Sequence, residues 1–215
     1  MNNETRDKAL YRYPDSDILK NKLNLRDTDS LNKAERRLVV MRIREGSPTG
    51  NFDLQHLQAI HRHLFQDLYE WAGQLRQVDI GKGGHWFMPK ERLESGMADI
   101  HRRLCEQNRL KGLSADAFAD KAGIILGDVN HLHPFREGNG RTQTQYLKQL
   151  AAQAGHSIDL RRMHKQKWIE ASRASNVAEY APISACIRDL IIENERVRLR
   201  HQIALKRTER GDHER

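Results

Sequence analysis

The strongest constraint on the fold lies between Ser114 and Gly155, where two helical patterns flank one short loop, HPFREGNGR. Ser114 can cap the stretch ADAFADKAGIILGDVNHL, whose Phe118, Ala122, Ile125, Leu126 and Val129 share one face at three- and four-residue intervals. A second helix is expected from about Thr142 to Ala154. Tyr146, Leu147, Leu150, Ala151 and Ala154 form its apolar stripe, and Gly155 stands just past its end. Helices with one apolar face need other elements to cover them.

The rest of the chain supplies that cover. Asp29 or Ser30 can start a helix through LNKAERRLVVMRIRE that stops at Gly46. Asp53 opens LQHLQAIHRHLFQDLYEWAG, where Leu54, Leu57, Ile60, Leu64, Leu68 and Trp71 recur with helical spacing up to Gly73. Further helices are expected in ERLESGMADIHRRLCEQNRL, MHKQKWIEASRAS and ISACIRDLIIENERVRLR. The one convincing β signal is LRQVDI, then GKGG, then HWFMP, which predicts two short strands about a glycine turn. No internal repeat is present. The expectation is a mostly α chain, a single helical bundle with one β-hairpin, ending in a polar, disordered tail.

Charge narrows the partners only partly. The net charge is +8, yet residues 193–215 carry seven Lys/Arg against five Asp/Glu, and no basic block occurs elsewhere. Such a surface favours polyanions in general, nucleotides as well as nucleic acid. No apolar run approaches a membrane span, and the start MNNETRDKALYRYPDSD lacks a signal-peptide core. Cys105 and Cys186 are far apart, the pattern of reduced thiols in a cytosol-like compartment.

The loop between the two central helices holds an unusual set of residues. His133 precedes Pro134, which disfavours continued helix and places the imidazole at a helix end. Gly138, Asn139 and Gly140 allow a tight turn whose amides can converge on an anion, at the positive end of the next helix. Arg141 adds a planar cation for phosphate oxygens. Glu137 would repel a bare phosphate but suits a Mg²⁺ ion that bridges phosphates. A histidine base, a metal carboxylate and a phosphate cradle together suit nucleotidyl transfer.

Other readings compete with this one. A Gly-Asn-Gly loop alone is usually only a turn. His131, His133, His61 and His63 could bind zinc, but His61 and His63 are two apart on a helix and cannot share a face. No Walker A sequence occurs. GNGRTQ follows a helix and lacks a third glycine, so a Rossmann loop does not fit either.

The stretch HPFREGNGR, residues 133–141, resembles the signature of the Fic (filamentation induced by cAMP) family, His-x-Phe-x-[Asp/Glu]-Gly-Asn-Gly-Arg-x-x-Arg. IHRHLFQDLYEWAGQLR, residues 60–76, is similar to the helix that leads into that family's flap hairpin. The resemblance implies a Fic core over 52–192, preceded by a helical extension over 1–51 and followed by a helix end and tail over 193–215. It implies AMP transfer from ATP, with Mg²⁺, to a Ser, Thr or Tyr hydroxyl of a target protein. By that resemblance His133 is the base and Glu137 holds Mg²⁺. Gly138, Asn139 and Gly140 cradle the α-phosphate, and Arg141 binds the outer phosphates. Phe135 anchors the loop in the core. Val78, Asp79, Ile80, Gly81 and Lys82 form the flap edge that docks an extended target segment.

This chain departs from the signature at Thr144, which stands where the family has its second arginine. Lys148, one helical turn further, is the residue that could substitute. Fic proteins are often inhibited by a glutamate in a [Ser/Thr]-x-x-x-Glu-[Gly/Asn] helix. In DLIIEN, Glu193 and Asn194 fit that pattern, but Asp189 does not. The usual partner of that glutamate in the family is the arginine that Thr144 replaces, so a separate small antitoxin, or no inhibition, is expected over self-inhibition. The expected setting is the cytosol, either in its own cell as a toxin or delivered into another as an effector. A non-catalytic Fic binding module and a transferase using another phosphodonor remain as alternatives. A nucleic-acid-binding protein is a third, without a recognition motif to support it.

Overall fold

The helix that carries the loop, α5 (Ala115–Leu132), starts where Ser114 accepts a hydrogen bond from the Ala117 amide. It ends at His133, which adopts the left-handed conformation with φ 45° and ψ 59°. Pro134 explains part of that ending, because it disfavours right-handed helix in the residue before it. α6 runs over Asn139–Ala154 and ends, as expected, on left-handed Gly155. The computed structural model describes residues 2–192, so Glu193 and the tail lie outside the described residues.

The remaining helices are α1 (Asn3–Tyr11), α2 (Thr28–Glu45), α3 (Leu54–Phe65), α4 (Leu93–Glu106), α7 (Lys165–Ser175) and α8 (Ala181–Leu190). α5 lies at the centre and packs against α4, α6, α7 and α8, while α3 packs on α6 and α2. Leu57, Ile60, Phe118, Val129, Phe135 and Leu147 are fully buried in the shared core. Tyr11 and Leu31, from the first two helices, join the same cluster. No described helix is long and apolar enough to cross a membrane.

Several boundaries differ from expectation. α2 is capped by Asp27, not Asp29 or Ser30, because the Asp27 carboxylate reaches the Ser30 amide at 2.8 Å. α3 stops at Phe65 rather than Gly73, and the chain to Gly73 winds through turns. Those turns bring the Gly73 amide to His61 Nδ1 at 2.8 Å and still bury Leu68 and Trp71, which kept the helical spacing misleading. α8 ends at Leu190, where Ile191–Ile192 becomes β4 and pairs antiparallel with β3 (Ser157–Ile158). Two-residue strands carry no readable alternation, so this second pair was not anticipated.

The hairpin exists but is shorter than LRQVDI and HWFMP suggest. β1 is Gly81–Lys82 and β2 is His85–Trp86, joined through Gly83 and Gly84 at φ 61° and 83°. Two consecutive positive φ values suit a tight hairpin turn, and glycine supplies them without steric cost.

Candidate active site

The His133 ring is held on two sides. Its Nδ1 lies 3.0 Å from the Asn130 carbonyl. A carbonyl can only accept, so Nδ1 carries the proton and Nε2 keeps a free lone pair. The ring stacks on Phe87 from the arm after β2, with centroids 3.8 Å apart and planes 12° from parallel. The imidazole stands at the helix end as expected, but the ring is clamped, and among the described residues only its Nε2 edge is left for chemistry. Burial, with the cations Arg76 and Lys82 adding to it, lowers its pKa from 6.5 to about 4. At about 4 the imidazole is neutral over the whole physiological range.

The loop beyond it is braced by its own residues. Asn139, buried, accepts the Phe135 amide at 3.0 Å and donates to the Phe135 carbonyl at 2.7 Å. Its side chain therefore fixes the loop, and only its backbone amide can serve a ligand. Gly138 has φ 85°, and a Cβ there would stand 2.3 Å from the Phe65 ring. Glycine is required on both counts. The amides of Asn139, Gly140 and Arg141 open α6 and have no acceptor among the described residues. They stand at the positive end of a 16-residue helix, which suits an anion. The Gly138 amide is already taken by Glu137 Oε1 at 3.0 Å.

His61 supports this loop from below, a role that its spacing in the sequence did not reveal. Its Nε2 donates to the Glu137 carbonyl at 2.9 Å, its Nδ1 accepts from Gly73, and its ring stacks on Phe135 at 3.9 Å. Burial lowers its pKa to about 4. Among the described residues no cluster of three metal-ligating side chains occurs, and His61 and His63 bond separate carbonyls.

Arg141, the cation expected to meet phosphate oxygens, already has carboxylate partners. Its Nη1 meets Glu35 Oε1 at 2.6 Å and its Nη2 lies 3.4 Å from Glu137 Oε1. Glu35 comes from α2, is buried, and also accepts the Tyr69 hydroxyl at 2.6 Å. Burial and the adjacent carboxylate together push the Tyr69 pKa far upward, so the phenol stays a donor. Thr144 donates to the Arg141 carbonyl at 2.8 Å and is folded onto its own helix. Lys148 is exposed one turn further along α6.

The expected flap edge, Val78 to Lys82, is reduced by the structure. Val78 is fully buried and its carbonyl accepts from Arg76 at 2.8 Å. Ile80 faces the second arm, its carbonyl accepting the Phe87 amide at 3.1 Å. Strand alternation then turns the backbone groups of Asp79 and Gly81 outward. Both of Asp79's are occupied: Asn3 donates to its carbonyl at 2.7 Å and accepts its amide at 2.8 Å. Gly81 and Lys82 are exposed. Arg76, Asn3 and Glu35 were all missed as site residues, because each acts across a long sequence separation.

The loop, the two central helices and the flap hairpin define a Fic fold, and this chain belongs to the Fic/DOC family, whose model matches residues 51–151. It is 38% identical over 180 residues to the probable protein adenylyltransferase y4lH of Sinorhizobium fredii, covering 83% of this chain and 94% of that one. It is 32% identical over 185 residues to the probable protein adenylyltransferase Fic of Escherichia coli K12, covering 85% and 92%. Among solved structures, the Bartonella tribocorum effector BepC, with bound AMPPNP, superposes with a TM-score of 0.80 at 27% identity, over 86% of this chain and 97% of that one.

Proposed function

We propose that this chain is a protein adenylyltransferase that moves AMP from ATP to a hydroxyl of a target protein. The observation that carries this is the pairing of a neutral imidazole, tautomer set by Asn130, with three unfilled amides at the head of α6. In the proposed step His133 Nε2 takes the proton of a Ser, Thr or Tyr hydroxyl. The hydroxyl oxygen bonds the α-phosphorus, the bond to the bridging oxygen breaks, and pyrophosphate leaves. The amides of Asn139, Gly140 and Arg141 face the charge that develops on the α-phosphate. Glu137, whose side chain is 47% exposed, is the carboxylate that would hold Mg²⁺. One carboxylate plus phosphate oxygens is an ordinary Mg²⁺ environment, and the ion would neutralise phosphate charge there. Relatives named as adenylyltransferases and the AMPPNP-bound BepC support the same reading.

The target is a protein with an exposed, extended segment bearing the hydroxyl. BepC is a VirB-translocated effector, which supports delivery into another cell as one setting; action in the cytosol of the producing cell is the other. Regulation by a small antitoxin remains part of the proposal, and Glu193 lies outside the described residues.

ATP labelled at the α-phosphate should label protein, whereas γ-labelled ATP should not. His133→Ala should abolish labelling while keeping ATP binding. Its melting temperature should fall modestly, since one aromatic stack contributes about 0.5–1.5 kcal/mol. A variant that still labels removes His133 from the reaction. Thr144→Arg should raise transfer by up to about a hundredfold, the worth of one charge-assisted bond. If ATP labels nothing with either the wild type or Thr144→Arg, the donor is a different phosphodiester or the chain only binds.

A further inference from the structure

The turns after α3 deliver Arg76 into the gap between the hairpin and the end of α5, with its side chain fully buried. A buried guanidinium is costly unless its donors are filled. Here they are filled by backbone oxygens of three segments. Nη1 donates to Val78 O at 2.8 Å on the first arm of the flap. Nη2 donates to Met88 O on the second arm and to Leu132 O at 3.3 Å. Nε donates to His133 O at 2.9 Å. Asp79 Oδ1, 3.5 Å from Nη1, supplies the counter-charge. One planar group therefore joins both arms of the flap to the last residues of α5, a geometry that lysine cannot copy.

We propose that Arg76 is a positioning residue that locks the flap and His133 into one unit, so that Nε2 meets an incoming hydroxyl at a fixed height. The inference rests on His133 being the base. Two observations separate it from general packing. The bond goes to the backbone of His133 itself, whose left-handed conformation it helps hold. Phe87, on the arm that Arg76 ties down through Met88, stacks on the His133 ring, so a loosened flap moves the ring. On the nucleotide side, none of Arg76's hydrogen bonds reaches α6 or the amides at its head. Transfer geometry and nucleotide binding should therefore respond separately.

The charges acting on His133 are Arg76 from the segment before β1 and Lys82 from β1, with Asp79 offsetting Arg76. Both cations oppose protonation of the ring, as burial does more strongly. Removing Arg76 should let the His133 titration rise toward its ordinary value.

The test compares Arg76→Lys and Arg76→Met with the wild type in three measurements: ATP affinity by calorimetry, transfer kinetics, and the His133 ring titration by NMR on labelled histidine. ATP affinity should stay unchanged, while kcat falls about tenfold to a hundredfold, the usual cost of a misplaced reacting group. KM for the target should rise, and the titration should move up, further in Arg76→Met than in Arg76→Lys. The inference is overturned if ATP affinity and melting temperature drop in step with transfer. Failure of Arg76→Lys to fold, or unchanged transfer and titration, overturns it as well. If the wild type transfers no AMP, the functional reading fails by itself, and the ring titration still decides whether Arg76 governs His133.

Discussion

Gly140 is the residue at which folding and ligand binding make opposite demands. A Cβ there would meet nothing within 4 Å, and its backbone is not in the left-handed region. Alanine in a helix is favoured over glycine by about 0.5–1 kcal/mol, so Gly140→Ala should melt at the same temperature or higher. Yet its methyl would stand beside the amides proposed for the α-phosphate. Calorimetry should show weaker ATP binding in a protein that is no less stable. Unchanged affinity would place the phosphate elsewhere. Gly138 is the contrasting case, where positive φ and the Phe65 ring forbid any side chain for reasons of fold alone.

At the level of elements, α1 and the flap meet in a contact that imitates strand pairing. The Asn3 amide fills both outward backbone groups of Asp79. A target segment adding to that edge would have Gly81 free but would have to displace Asn3 to use Asp79. Asn3→Ala should therefore lower KM for an extended target severalfold and leave ATP affinity unchanged. α1 should stay in place, because Asp7 binds Arg136 at 2.5 Å and Arg12 at 2.8 Å, and Tyr11 is buried. Steady-state transfer at varied target concentration checks this. An unchanged or higher KM would mean that the target does not dock along this edge.

Over the whole molecule, the two clamped histidines predict how stability depends on pH. Protonating His61 would put a second hydrogen on Nδ1, where the Gly73 N–H already donates. Its folded pKa of about 4 lies below the ordinary 6.5, so the folded state resists a proton that the unfolded chain accepts. The stabilisation is complete above pH 6.5 and is lost as pH falls from 6.5 toward 4. For fully buried His61 the loss approaches about 3 kcal/mol at about 1.4 kcal/mol per unit, and His133 acts in the same direction. Aspartates with lowered values, such as Asp7, begin to contribute only near and below their ordinary 3.8. Urea unfolding at stepped pH should show the slope between pH 6.5 and 4. A flat profile there would mean that His61 gains its proton without losing its contacts.

The sequence by itself determined the helices around the loop, the end of α5 before Pro134, the glycine turn of the hairpin and the residues of the loop. These follow from local physics: apolar spacing, capping side chains and the allowed backbone angles of glycine and the residue before proline. The motif's resemblance added the family. Only the tertiary structure decided that Glu35 neutralises Arg141, that His61 props the loop, that Arg76 joins flap to α5, and that Asn3 fills the flap edge. Each partner is far from the other in sequence, and no periodicity records which distant side chain reaches which carbonyl. The lowered pKa of His133 belongs to the same class, because burial under Phe87 is a property of packing and not of the residue.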